Sequence, residues 1–197
     1  MVKATGVILS GGKSSRMGSD KAFINIGQKG MIESVASVLK EVCAEVIISG
    51  GDEETGRRLD LKVIDDLIPG RGPLSGIHAS LRAASYENCL VVACDMPFIT
   101  TELASLILWE VEGYDVAVPS HGIFLQPLFA VYGKSCLLVI ENYLNSGKIK
   151  VADLFPLVKT NYVSEDKIAL LADIDTVFFN VNTPRDVTKA RQMAQKN

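Results

Sequence analysis

The 197-residue chain lacks any basic excess: 20 Lys and Arg stand against 23 Asp and Glu, a net charge of −3. That excludes a surface holding nucleic acid or anionic membrane through bulk charge, so any phosphate must be met by local cations or a metal. Histidine is scarce. His78 and His121 are the two present, too few and too separated for a zinc centre. Four cysteines, Cys43, Cys89, Cys94 and Cys136, form no Cys-x-x-Cys pair and lie in or beside apolar runs. This predicts buried, reduced thiols and a cytoplasmic location. One tryptophan and 7% aromatic residues leave no stripe on which bases would stack. No apolar run approaches the ~18 residues of a membrane helix, and Met1 leads into a strand pattern rather than a signal sequence. With no repeat, linker or low-complexity tract, residues 1–197 are expected to form one domain.

What is present begins at Val7-Ile8-Leu9-Ser10-Gly11-Gly12, an apolar run ending in two glycines. A buried parallel strand reads this way, and ligands of open α/β sheets collect where such strands open into loops. Glycines admit a ligand close to the backbone amides, and Arg16 and Lys21 add two cations to the loop. That combination suits a triphosphate; the alternative is a solvated loop with scattered charges. The spacing is neither G-x-x-x-x-G-K-[ST] nor G-x-G-x-x-G, because Gly18 is followed by Ser-Asp-Lys.

Along the rest of the chain, apolar residues at helical spacing predict a helix over 31–43. Strands follow at 45–49 and 61–64, flanking a short helix at 53–59, and the second ends on Asp65-Asp66. A Pro-Gly-Arg-Gly-Pro loop, containing Arg71, opens a helix near Leu74. Residues 89–94 form the most apolar strand and end in Asp95-Met96-Pro97. Mg²⁺ takes one or two carboxylates plus phosphates and waters, so a single Asp95 there suffices chemically, although a strand-terminal Asp also serves as a turn former. Further helices are expected at 101–111, 134–144 and 151–158. Extended segments are expected at 115–119, 126–132, 161–163 and 178–182. Thr183, Pro184 and Asp186 cap the last helix. Asn180 and Asn182 would then be same-face amides at a strand end. Alternating strands and helices imply an α/β, three-layer, mostly parallel sheet.

Four elements together resemble the molybdenum cofactor guanylyltransferase family, nucleotidyltransferases with a Rossmann-like, glycosyltransferase-A-like fold. They are Leu9-Ser10-Gly11-Gly12 with Arg16-Met17-Gly18 and Asp20-Lys21; Gly72-Pro73-Leu74-x-Gly76-Ile77; Cys94-Asp95-Met96-Pro97-Phe98; and Asn180-x-Asn182-Thr183-Pro184-x-Asp186. Pro127-Leu128-x-Ala130-x-Tyr132 also matches. The resemblance implies transfer of GMP from Mg-GTP to molybdopterin carrying molybdenum, with release of pyrophosphate. It implies main-chain GTP contacts at Leu9, Ser10 and Gly11, a turn shaped by Gly12, phosphate binding by Lys21, nucleoside binding by Asp66 and Mg²⁺ at Asp95. Asn180 and Asn182 would meet the pterin. Arg16 is assigned to the leaving pyrophosphate, and Arg71 to the pterin phosphate, on physical grounds. Ser49 stands where some members place an Asn that contacts GTP. Cofactor-insertion proteins and molybdoenzyme apoproteins are the implied partners. Alternatives are a molybdopterin cytidylyltransferase, a sugar-phosphate nucleotidyltransferase, or a non-catalytic nucleotide- or pterin-binding carrier.

Overall fold

A computed structural model describes residues 1–11 and 22–195. Strand β1 (Val2–Leu9) runs parallel to β4 (Cys43–Ser49) on one side and to β6 (Asn88–Ala93) on the other. Beyond β4 lies parallel β5 (Lys62–Ile64). Beyond β6 the sheet turns mixed. Strand β9 (Phe129–Gly133) pairs antiparallel with both β6 and β7 (Val116–His121), and β10 (Thr160–Val163) closes the edge parallel to β7. The order is β10-β7-β9-β6-β1-β4-β5, with the short β8 (Phe124–Leu125) turned back onto β7.

Period-two alternation along β1 sorts the core onto two faces. Ile8 points to one face, where α1 (Met31–Val42) and α4 (Thr101–Glu110) bring Ile32, Val35, Leu39, Leu103 and Ile107. Val7 and Leu9 point to the other, against Leu74, Ile77 and Leu81 of α3 (Pro73–Ala83) and Ile140 and Leu144 of α5 (Leu137–Asn145). The expected three layers are therefore present. Helix α2 (Glu53–Leu59) lies between β4 and β5 in the chain, capped by Asp52 accepting from the Thr55 N–H.

Several expectations need correction. Ahead of α1 the chain forms a small antiparallel hairpin, β2 (Asn25–Ile26) with β3 (Lys29–Gly30), for which the sequence pattern gave no expectation. The strand expected at 126–132 starts only at Phe129, and the helix expected at 134–144 opens with a 3-10 turn, Lys134–Cys136. The 151–158 segment is also 3-10, Val151–Leu157 with Pro156 inside it, because proline cannot donate to an α ladder. Cys94 lies one residue past β6 and is half-buried, unlike the other three cysteines.

The largest difference is at 178–182. Phe178 caps α7 (Ile174–Val177), which follows the short α6 (Glu165–Ala169), and no residue from 179 to 182 joins a strand. Local partners take up the polar groups that a ladder would use. Asn180 Nδ2 donates to the Phe178 carbonyl at 3.1 Å, and the Asn182 N–H donates to the Asp186 carboxylate at 3.0 Å. Helix α8 (Pro184–Ala194) begins as expected, with a reciprocal capping box between Thr183 and Asp186. Among the described residues no helix is long and apolar enough to cross a membrane.

Candidate active site

The C-terminal ends of β5, β4, β1 and β6 lie side by side, because Leu9 pairs with both Ser49 and Ala93, and Ser49 pairs with Ile64. Main-chain bonds extend this alignment one residue past the strands. The Ser10 N–H donates to Ser49 O at 2.9 Å, Gly50 N–H to Ile64 O at 3.2 Å and Cys94 N–H to Leu9 O at 3.0 Å. Chain order reverses at β1, since β4 lies on one side and β6 on the other; such a switch point opens a crevice for ligands. Ser10 and Gly11, Asp65 and Asp66, and Asp95 all follow strands on this one edge.

The glycines here are required for two distinct reasons. Gly50 has φ +75, and a Cβ on it would stand 2.9 Å from the Gly11 Cα, so the two loops touch backbone to backbone. Gly76 lies in the first turns of α3, where a Cβ would meet Ser49 Oγ at 2.7 Å and Leu9 Cδ2 at 2.9 Å. The missing side chain lets α3 press against the ends of β1 and β4. Ser49 is consequently buried, with its Oγ facing Gly76 and lacking a hydrogen-bond partner among the described residues.

Asp66 is half-buried, and burial together with the neighbouring Asp65 raises its carboxyl above the usual aspartate value. Asp95 is half-buried on the turn after β6, and its main-chain carbonyl accepts the Val181 N–H at 2.9 Å. That bond brings Asn180 and Asn182, both exposed, beside the Asp95 turn although neither belongs to a strand. Gly12, Arg16 and Lys21 lie outside the described residues. Arg71 lies on the β5–α3 loop at the same edge, half-buried. Among the described residues no cluster of three metal-ligating side chains occurs. His78, by contrast, is buried between α3 and α5, with Nε2 3.0 Å from Glu141 Oε1, which also binds Arg82. His121, on β7, lies 3.5 Å from Glu165.

Ser75 is the residue that sequence reasoning passed over. It occupies the variable place in Gly-Pro-Leu-x-Gly, yet it is fully buried and its Oγ donates to Ile68 O at 2.6 Å. The same oxygen accepts the Arg71 N–H at 3.2 Å. A hydroxyl on an otherwise apolar helix start was the available signal.

The MobA-like NTP transferase domain matches residues 6–155, from the middle of β1 to the second 3-10 segment. The chain belongs to this family. Among members of the wider group, a probable molybdenum cofactor guanylyltransferase of Pelotomaculum thermopropionicum is 61% identical across 100% of this chain and 96% of its own length. A molybdenum cofactor guanylyltransferase of Desulfosudis oleivorans is 34% identical, covering 96% and 95%. The crystal structure of molybdopterin-guanine dinucleotide biosynthesis protein A from Archaeoglobus fulgidus matches with TM-score 0.82 at 28% identity, over 98% of this chain and 100% of that one. A cytidylyltransferase of Thermus thermophilus, with TM-score 0.70 and 17% identity over 96% and 98%, shares the fold. The MobA-like assignment accounts for the mixed sheet.

Proposed function

We propose that this chain transfers GMP from GTP to the phosphate of molybdenum-molybdopterin, forming the guanine dinucleotide cofactor and pyrophosphate. The observation that carries the reading is full-length 61% identity to a guanylyltransferase, joined to a sheet edge that gathers Ser10, Gly11, Asp66 and Asp95. In this reading an acceptor phosphate oxygen forms a bond to the α-phosphorus while the bridging bond to the β-phosphate breaks. Pyrophosphate leaves with the electron pair, and no covalent enzyme intermediate is needed. The chain's work is alignment and charge stabilisation.

Leu9, Ser10 and Gly11 hold the nucleotide through the main chain, Gly12 shapes the turn, Lys21 binds phosphate and Arg16 receives the leaving pyrophosphate. An ionised Asp66 accepts from guanine N1–H and N2–H₂, a donor pair that adenine and cytosine do not present. The donor set fits Mg²⁺, since the half-buried Asp95 carboxylate would leave the remaining positions to phosphate and water. Bound at Asp95, the ion would neutralise charge on the transferring phosphates. The exposed amides of Asn180 and Asn182 meet the pterin. The product passes to cofactor-insertion proteins or apoenzymes.

The test is pyrophosphate release with GTP, CTP and ATP, each offered molybdopterin or a hexose 1-phosphate. Turnover is expected with GTP and molybdopterin alone. Asp95→Asn should lower it at least ~10²-fold, the scale of lost electrostatic groups. Efficient use of a sugar phosphate or of CTP would overturn the assignment, and near-normal turnover by Asp95→Asn would remove Asp95 from the metal.

A further inference from the structure

Resting on that reading, we propose that Arg71 binds the attacking phosphate of the acceptor from a turn tied down by the Ser75 hydroxyl. Gly70 (φ +81) and Gly72 (φ +63) flank Arg71, and nothing lies within 4 Å of a Cβ on either, so backbone conformation rather than space requires them. The buried Ser75 hydroxyl ties down both sides of the turn, donating to Ile68 O and accepting the Arg71 N–H, while the Ser75 N–H donates to Gly72 O at 3.1 Å. Because Gly76 seats α3 against Ser49 and Leu9, this fixed loop lies at the ends of β4 and β1.

The guanidinium itself is held back from other work. Arg57, Arg58 and Arg82 pair with Glu53, Glu33 and Glu141 and Arg191 donates to Asn25 O, whereas Arg71, like Arg185, has no ion pair among the described residues. Two anions must meet in this reaction, and the attacking oxygen approaches the α-phosphorus opposite the leaving pyrophosphate. The cations of residues 12–21 follow β1 and belong with the triphosphate, so the incoming phosphate needs another, and a planar fork suits its oxygens. Among the described residues, His121 at this edge is already beside Glu165, and Arg185 is exposed in the first turn of α8.

Steady-state pyrophosphate release against molybdopterin at saturating Mg-GTP, with GTP binding by calorimetry, tests this in the full chain. Arg71→Ala should raise the acceptor KM roughly tenfold to a hundredfold, with GTP affinity kept within about twofold. Arg71→Lys should fall between, and added guanidinium ion should accelerate Arg71→Ala but not the parent. An unchanged acceptor KM, GTP affinity falling in step with it, or Arg185→Ala alone producing the effect would each overturn the proposal. Failure of the parent enzyme to use molybdopterin would overturn the guanylyl reading and this proposal together; an active parent with an unaffected Arg71→Ala overturns only the second.

Discussion

Glu45 joins three segments at the edge of the sheet away from the site. Its carboxylate accepts the Thr5 hydroxyl at 2.6 Å, the Ser85 N–H at 2.8 Å and the Ser85 hydroxyl at 2.8 Å. Burial alone would raise its carboxyl, but the bonds from Thr5 and Ser85 outweigh burial and hold it below the usual 4.5. Between that lowered value and 4.5 the folded chain binds fewer protons than the unfolded one. The contribution is therefore present above about pH 4.5 and fades as pH falls through the lowered value. Glu45→Gln should cost about 1 kcal/mol near neutral pH, after discounting for solvent exposure. The melting-temperature gap from the parent should shrink on acidification, and a gap constant with pH would remove the charge from the explanation. Residue chemistry was only half legible in the sequence. The positions of Asp66 and Asp95 at strand ends were legible from the apolar runs they follow, whereas the burial of Ser49 and the two hydrogen bonds of the Ser75 hydroxyl depend on where α3 lands.

At the scale of elements, α3 is set by one absent side chain. Gly76→Ala would force its Cβ against Ser49 Oγ and Leu9 Cδ2, and overpacking of this kind costs roughly 1–3 kcal/mol. Ser49→Ala alone should be near neutral or stabilising, because the hydroxyl it deletes is buried without a partner. The double variant should recover part of the loss, a non-additivity expected of residues in contact. Chemical denaturation of the four proteins measures it, and strict additivity would mean that α3 shifts without involving Ser49. Continuous apolar runs made β1, β4 and β6 readable in advance, since strands covered on both faces carry that signal. The antiparallel course of β9 was not readable, because pairing partners are chosen by the assembled sheet. At 178–182 an apolar pattern resembled a strand, but the backbone there bonds to a turn, a cap and the Asp95 carbonyl.

For the whole molecule, a ligand that binds only the folded chain must stabilise it. Mg-GTP at a hundred times its Kd should add about 2.7 kcal/mol, or roughly 5–10 °C in Tm for a domain of this size. Chelating the metal should remove much of that increment. Asp95→Asn should bind GTP with a shift indifferent to Mg²⁺, and a metal-dependent shift retained in that variant would place the ion elsewhere. The three layers, with Ser10, Asp66 and Asp95 on one edge of the sheet, followed from alternation of strands and helices. The conformation of residues 12–21, where Arg16 and Lys21 lie, lies outside the described residues.

The bond from Val181 to the Asp95 carbonyl has a counterpart across the site. Helix α8 packs Ala190, Val187 and Ala194 with Ile26 and Met31 beside the β2–β3 hairpin, and Arg191 Nε donates to Asn25 O at 3.0 Å. The same segment thus supports the turn bearing Asp95 and the hairpin just beyond residue 21, though the hairpin is made more than 150 residues before it and the Asp95 turn more than 80. On a ribosome adding about 5–20 residues per second, β1 and β4 wait roughly 7–35 s for that support. A nascent chain halted before Val181 would own every nucleotide-binding element assigned here yet hold them unbraced, so competence to turn over GTP should arrive with the final helix rather than accumulate as the sheet grows.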